Sequence, residues 1–339
     1  MDRINLCTVE CHRSQSVLSF RDGLSTVSND FEFYKPTGPV CRRQRDHTAQ
    51  SVRRSMEVSQ VAESVMSAKG SAAAPALLSN REALKQAFAE DGYLIFRNVV
   101  SPERLTALHK VLSQEFESAK ASGRLFSGGG LISGHLNCFP GEASRFAYEA
   151  LEAHGIIDLV KELFPKATRM PNVGCNFNLP KSVAQHYHAD RNFLDHFMIA
   201  NVAVVDTTIE NGAIDMLPGT HKKFYKFWRF AVERVSRLST RIEMKQGDVL
   251  IRTSNVWHRG MPNLTNAPRP MIAFTWEDGG STQPDPFKVE DGKIAFRQNW
   301  YRPTAIGRLR ERTFVAAPIT YSAFRFVTSL YGTKGYDHH

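Results

Sequence analysis

Between Asn172 and Trp276 the chain is a succession of short apolar or alternating runs, each closed by a turn signal. The runs are Val173 to Leu179, Gln185 to Asp190, Ile199 to Asp206, Gly212 to Leu217, Asp248 to Arg252 and Met271 to Trp276. Pro180-Lys181-Ser182, Glu210-Asn211-Gly212 and Gln246-Gly247-Asp248 punctuate them. A chain broken this often cannot bury its apolar residues as long helices, so it must pair short strands. That pattern predicts a β-sandwich or barrel. Lys222 to Ser239 is the one helical interruption.

The preceding segment has a different period. Asn80 caps a predicted helix with Ala83, Leu84, Ala87 and Phe88 on one face, and Gly92 lies just past its end. Tyr93 to Phe96 reads as a strand. Ser101-Pro102 opens a second helix with Leu105, Leu108, Leu112 and Phe116 at helical spacing, which Gly123 closes. Ser127-Gly128-Gly129-Gly130 is expected to be a mobile loop, since no Gly-Lys-Ser/Thr follows to make it a phosphate loop. Ala147 to Leu163 reads as one helix ended by Pro165. The expected fold is mainly β with a helical buttress, an α+β jelly roll. Residues 1–78 are rich in Ser, Arg, Gln and Val and end in a Lys69-to-Pro75 linker, so they read as a disordered extension. One domain is expected over residues 79–339, with its motif core at 88–276 and a C-terminal extension at 281–339. In that extension Pro318 to Leu330 reads as a helix that packs on the sandwich or on a second subunit.

Charge narrows the class of partner. The net charge is +9, but it spreads as +2 over residues 1–80, +3 over 81–280 and +4 over 281–339. A dispersed excess argues against a nucleic-acid footprint. The one stretch with interleaved aromatics, Arg297 to Arg312 with Trp300 and Tyr301, is too short to reverse that. Five scattered cysteines form no disulfide framework or zinc spacing, which fits a reducing, cytoplasmic compartment. No apolar run approaches the roughly 20 residues that span a bilayer. The arginines at 42, 43, 45, 53 and 54 hint at mitochondrial targeting, and the interspersed Asp and Glu speak against it.

The chemistry concentrates in His186-Tyr187-His188-Ala189-Asp190. On a strand, residues two apart share a face, so His188 and Asp190 project together, and His186 with them. His258, in Asn255-Val256-Trp257-His258-Arg259-Gly260, ends a later strand. Two imidazoles and one carboxylate on one face of an octahedral ion leave three positions open, the ligand set of non-haem Fe(II) oxygenases. The absence of thiolate ligands argues against structural zinc. Arg269 enters an apolar strand, where its planar fork suits a carboxylate. His186 and Arg191 are candidate substrate contacts. Trp257, of opposite parity to His258, is expected in the core, and His221 is expected to be a turn residue. His135 and Asn137, beyond the glycine loop, are expected to stabilise that loop rather than to hang over the site.

From about Phe88 to Trp276 the sequence resembles the phytanoyl-CoA dioxygenase family of Fe(II)- and 2-oxoglutarate-dependent oxygenases. The resemblance rests on Asp91-Gly92-Tyr93-Leu94-Ile95-Phe96-Arg97-Asn98, His188-Ala189-Asp190, Asn211-Gly212-Ala213, Leu217-Pro218-Gly219-Thr220-His221-Lys222, Gly247-Asp248, His258 and Arg269, in order. Thr220 stands where the family usually has serine, which keeps the hydroxyl. The resemblance implies a double-stranded β-helix with iron on His188, Asp190 and His258. It places the distal carboxylate of 2-oxoglutarate on Arg269 and puts Asn178 near the co-substrate. It also implies use of O2, release of succinate and CO2, and oxidation of a small organic substrate. Asp190 fills the position that halogenating relatives leave to Gly or Ala, so hydroxylation is favoured. Desaturation, epimerisation or cyclisation at the same site remains an alternative, as does a non-catalytic jelly-roll binding protein.

Overall fold

The computed structural model describes residues 80–125, 129–297 and 301–331. The expected extension at 1–78, residues 127 and 128 of the glycine loop, and Trp300 lie outside the described residues.

The N-terminal helices follow their caps. Helix α1 (Arg81–Asp91) begins at Asn80, whose side chain accepts from the Ala83 amide, and stops at Gly92 in the left-handed region. Strand β1 (Tyr93–Phe96) follows directly. Helix α2 (Pro102–Ala121) is capped by Ser101 and buries Leu105, Leu108, Leu112 and Phe116. The stretch read as one helix from 147 to 163 is two, α3 (Arg145–Ala153) and α4 (Ile156–Leu163). Gly155, at φ 70°, breaks them. No L-residue holds that conformation cheaply, so the glycine outweighs the continuous apolar pattern.

The strands are β2 (His135–Phe139), β3 (Asn172–Asn178), β4 (Met198–Ala203), β5 (Ile214–Met216), β6 (Thr240–Ile242), β7 (Val249–Thr253), β8 (His258–Arg259), β9 (Arg269–Thr275) and β10 (Ala295–Arg297). A seven-stranded antiparallel sheet has the order β1-β7-β4-β9-β3-β2-β10, and a three-stranded sheet has the order β6-β5-β8. The expected jelly roll is present as these two sheets, with the large one left open at its edges. Alternation along the strands sorts the core. Val202, Val249, Ile272 and Phe274 face the helices with Leu105, Leu112, Leu151 and Leu159. Ala203, Leu250 and Met271 point the other way and meet Ile214, Met216 and Ile242 of the small sheet. The large sheet is thus apolar on both faces, and its inner face carries the site.

Between β5 and β6 lies the expected helical interruption, realised as α5 (Phe227–Val232) and a short 3-10 turn at Val235–Leu238. Two helices close the described chain, α6 (Ala305–Ala316), which was not anticipated, and α7 (Pro318–Leu330), which was. They dock on the sandwich through two buried charged residues. Glu311 Oε1 accepts from the amides of Ile132 and Ser133 and from the Ser133 hydroxyl. Arg325 lies over the Phe227 ring and donates to the Tyr187 carbonyl at 2.7 Å.

Candidate metal centre

His188 and His258 are backbone partners. Each amide donates to the other's carbonyl, at 2.9 and 2.8 Å, as an isolated antiparallel bridge. Their rings lie 4.5 Å apart between centroids. Asp190 joins them because its amide donates to the Ser254 carbonyl, which returns the chain over the ligand pair. Asp190 Oδ1 then stands 3.5 Å from Nε2 of both His188 and His258. One donor atom from each of the three lies within 4.8 Å of the others.

The remaining ring nitrogens are committed. His188 Nδ1 donates to the His186 carbonyl at 2.8 Å and His258 Nδ1 donates to the Val256 carbonyl at 3.0 Å. With both Nδ1 atoms held as donors, both Nε2 atoms are left with lone pairs toward Asp190, the arrangement a cation requires. Burial, with the Arg252 charge nearby, pushes the His258 imidazole down to about 3 despite the opposing pull of Asp190. Burial alone would raise the Asp190 carboxyl, but the Arg252 guanidinium and the two histidines hold it well below the usual carboxylate range. Neutral imidazole and ionised carboxylate are the ligating forms.

Two segments of the motif set act as braces. The Thr220 hydroxyl accepts from the Trp257 amide at 2.9 Å and donates to the Leu217 carbonyl at 2.7 Å, so the hydroxyl that the motif retains pins the residue before His258. Trp257 is fully buried, as expected, and stacks on Phe230. Asp248 accepts from the amides of Asn98 and Lys245 and from Arg97, tying β1 to β7. His221 sits in a 3-10 turn, Thr220–Lys222, and contacts the Ala89 carbonyl.

Arg269 and Asn178 are directly opposed in the β3–β9 ladder, and both line the cavity of about 180 Å³ that holds the three ligands. Arg269 is 4% exposed and burial pushes its guanidinium down to about 10, still charged at neutral pH. Its Nη2 donates to the Gly212 carbonyl at 3.0 Å, while its buried Nε has no hydrogen-bond partner. Gly212 has φ 93°, and a Cβ there would lie 2.6 Å from the Met261 carbonyl oxygen and 2.8 Å from Asn178 Nδ2. Only glycine lets the backbone come this close to Arg269 and Asn178.

Two expected substrate contacts lie elsewhere. His186 does not share the cavity of His188 and Asp190. Gln185 donates its amide to the Gly260 carbonyl, whereas His188 pairs with His258. Three steps on one side therefore match two on the other, a bulge that inverts parity. Gln185 takes the inward place, and its Oε1 accepts from the Gly260 amide. His186 turns outward between Phe314 and Tyr321, 4.8 Å from each ring, at a separate cavity of about 630 Å³. The segment 185–190 is accordingly not the regular strand expected from its alternation. Arg191 is drawn to the surface by Glu277 and Asp278, at 2.9 and 3.0 Å, and does not line the cavity of His188, Asp190 and His258. His135 and Asn137 do line it, from strand β2 rather than from a loop.

Sequence reasoning missed Gln185, Asn201 and Arg252. The signal for Arg252 was present: it is a cation inside the run Val249-Leu250-Ile251-Arg252-Thr253, and a buried cation demands a carboxylate.

A family model described as phytanoyl-CoA dioxygenase matches residues 88–271, more than half of the chain. Among solved structures, the chain is similar to the non-heme alpha ketoglutarate dependent carbocyclase SnoK from nogalamycin biosynthesis. That match has 16% identity over 57% of this chain and 82% of that one, at a TM-score of 0.41. It is also similar to the epimerase SnoN, solved with Fe3+, alpha ketoglutarate and nogalamycin RO, at 17% identity over 58% and 83% and a TM-score of 0.40. A third is AviO1 from Streptomyces viridochromogenes Tue57, at 18% identity over 58% and 94% and a TM-score of 0.42.

Proposed function

The chain belongs to the phytanoyl-CoA dioxygenase family of Fe(II)- and 2-oxoglutarate-dependent oxygenases, and from that premise we propose that His188, Asp190 and His258 hold one Fe(II) and that Arg269 receives the distal carboxylate of 2-oxoglutarate. The supporting observation is the convergence of the His188 and His258 Nε2 atoms on one Asp190 oxygen, in a cavity whose wall carries a buried arginine with an unpartnered Nε. A protein that merely bound a ligand would need no such set.

When bound, the iron would let O2 oxidise both 2-oxoglutarate, to succinate and CO2 with uptake of one oxygen atom, and a substrate C–H bond, which would take the other. The residues of this chain do the rest. His188, Asp190 and His258 would hold the ion through three side chains and so would leave positions for co-substrate and O2. Arg269 neutralises and orients the distal carboxylate, and Asn178, held through Nδ2 by the Met261 carbonyl at 3.2 Å, borders the same position. Asn201 of β4 and Arg252 of β7, strands buried along their whole length, form part of the cavity wall. Hydroxylation of a small organic substrate is the reaction proposed.

The surface argues against nucleic acid as that substrate. In the stretch that suggested it, Arg297 is paired with Glu290 and Tyr301 is buried, so neither makes a stacking platform. No helix among the described residues is long and apolar enough to cross a membrane. Cys138 and Cys175, opposed in the β2–β3 ladder and present as thiols, support a reducing, cytoplasmic location. We also read residues 79–339 as one oxygenase domain, with the C-terminal helices as part of it.

Anaerobic addition of Fe(II) and 2-oxoglutarate tests the assignment. A weak visible charge-transfer band is expected in the wild type, lost in His188→Ala and weakened in Arg269→Ala. Its absence from the wild type would refute the iron and co-substrate assignment.

A further inference from the structure

The two oxygens of the Asp190 carboxylate have different partners. Oδ1 faces His188 and His258, whereas Oδ2 accepts from Arg252 Nη1 at 2.7 Å. We propose that Arg252 is a positioning residue, which occupies Oδ2 and so restricts Asp190 to a single bond to the metal through Oδ1. The inference rests on the proposed metal centre.

Three observations carry it. First, Arg252 is itself immobilised. It lies within β7, opposite Tyr93 on one side and Ile199 on the other, and is 6% exposed. Its Nε donates to Asn201 Oδ1 at 3.3 Å, and Asn201 is buried on β4. The guanidinium is therefore anchored from the sheet floor while its fork reaches up to the carboxylate. Second, among the described residues Asp190 is the only carboxylate paired with Arg252. Third, the geometry splits the carboxylate. Without a fixed partner on Oδ2, a carboxylate can exchange its oxygens or chelate through both, and chelation would fill one of the three positions that the co-substrate and oxygen need. A guanidinium donor held 2.7 Å from Oδ2 removes that option, in the way that outer partners orient ligating groups elsewhere.

A merely structural ion pair would also explain the contact, so the test needs readouts that such a pair would not move. Co(II) is titrated under dinitrogen into the metal-free, full-length protein, and its d–d absorption is followed. Relative to wild type, Arg252→Met is expected to lower Co(II) affinity by about ten- to a hundredfold and to change the position and intensity of the band. Arg252→Lys keeps the charge without the fork and should recover part of both. Asn201→Ala loosens the guanidinium without removing it and should shift the band in the same direction. Thermal melts of the metal-free proteins give the folded fraction for each titration. A band identical to wild type in all three variants, with Co(II) affinity equal or tighter per folded molecule, would overturn the proposal and leave a structural pair. If wild type binds no Co(II), or His188→Ala binds it equally well, the metal centre itself falls, which is a distinguishable result.

Discussion

The Thr220 hydroxyl is hydrogen-bonded in both directions, accepting from the Trp257 amide and donating to the Leu217 carbonyl. It joins a turn to the residue that immediately precedes a metal-ligand candidate, and it is itself buried. Removing it strands the buried Trp257 amide and leaves the Leu217 carbonyl only the longer bond from the Thr220 amide, at 3.4 Å. Thr220→Ala should therefore destabilise the protein by about 1–3 kcal/mol, while Thr220→Ser should stay near wild type. Urea unfolding monitored by tryptophan fluorescence decides between them; equal stability of the two variants would contradict this role.

Metal should stabilise the fold as well as activate it. A cation that binds the folded chain alone adds about 2.7 kcal/mol at a hundredfold excess over its dissociation constant. Mn(II) is thus expected to raise the melting temperature of chelator-treated wild type and to leave Asp190→Ala unmoved. Differential scanning calorimetry with and without Mn(II) checks it.

Acid should weaken the metal-free protein well above the carboxylate range. Burial pushes His135, His186 and His221 down to about 4, and His258 to about 3, from the usual 6.5. The unfolded chain takes up protons that these native imidazoles refuse, so stability is complete above about pH 6.5 and falls as pH drops toward 4. The slope is at most about 1.4 kcal/mol per pH unit for each such histidine. The depressed Asp190 carboxyl adds a loss of the same sign at still lower pH. Urea midpoints measured from pH 7 to 4.5 in chelator should decline, and His221→Gln should flatten the curve. A flat wild-type profile would refute the expectation.

Gly212 serves Arg269 through its carbonyl, so a side chain there should harm the co-substrate more than the metal. Gly212→Ala meets a positive φ and two close atoms. Titration calorimetry of the Mn(II)-loaded variant should show 2-oxoglutarate affinity lowered tenfold or more, with Mn(II) affinity close to wild type.

How far the sequence could be read depended on whether the governing interaction was local. The caps at Asn80 and Ser101, and the Pro318 start of α7, are local, and those helices lie where the caps predict. The His188–Asp190–His258 constellation was legible because ligand chemistry restricts residue type so strongly. His186 was misplaced because parity survives only while a ladder stays regular, and the bulge against Gly260 is created by a partner 75 positions away. Gly155 divides α3 from α4 inside an unbroken apolar pattern, a case where one backbone angle overrides side-chain periodicity. Strands β2 and β10 were missed because their sequences, His135–Phe139 and Ala295–Arg297, alternate too briefly to stand out and are completed by pairing with each other.

The reciprocal backbone bonds between His188 and His258 carry a consequence for how the centre comes apart. The His188 segment cannot part from the His258 segment without breaking both bonds together, so the two histidines form one cooperative opening unit. Their amides should exchange with solvent deuterium at a common rate, and loss of the ion should coincide with that opening rather than proceed ligand by ligand.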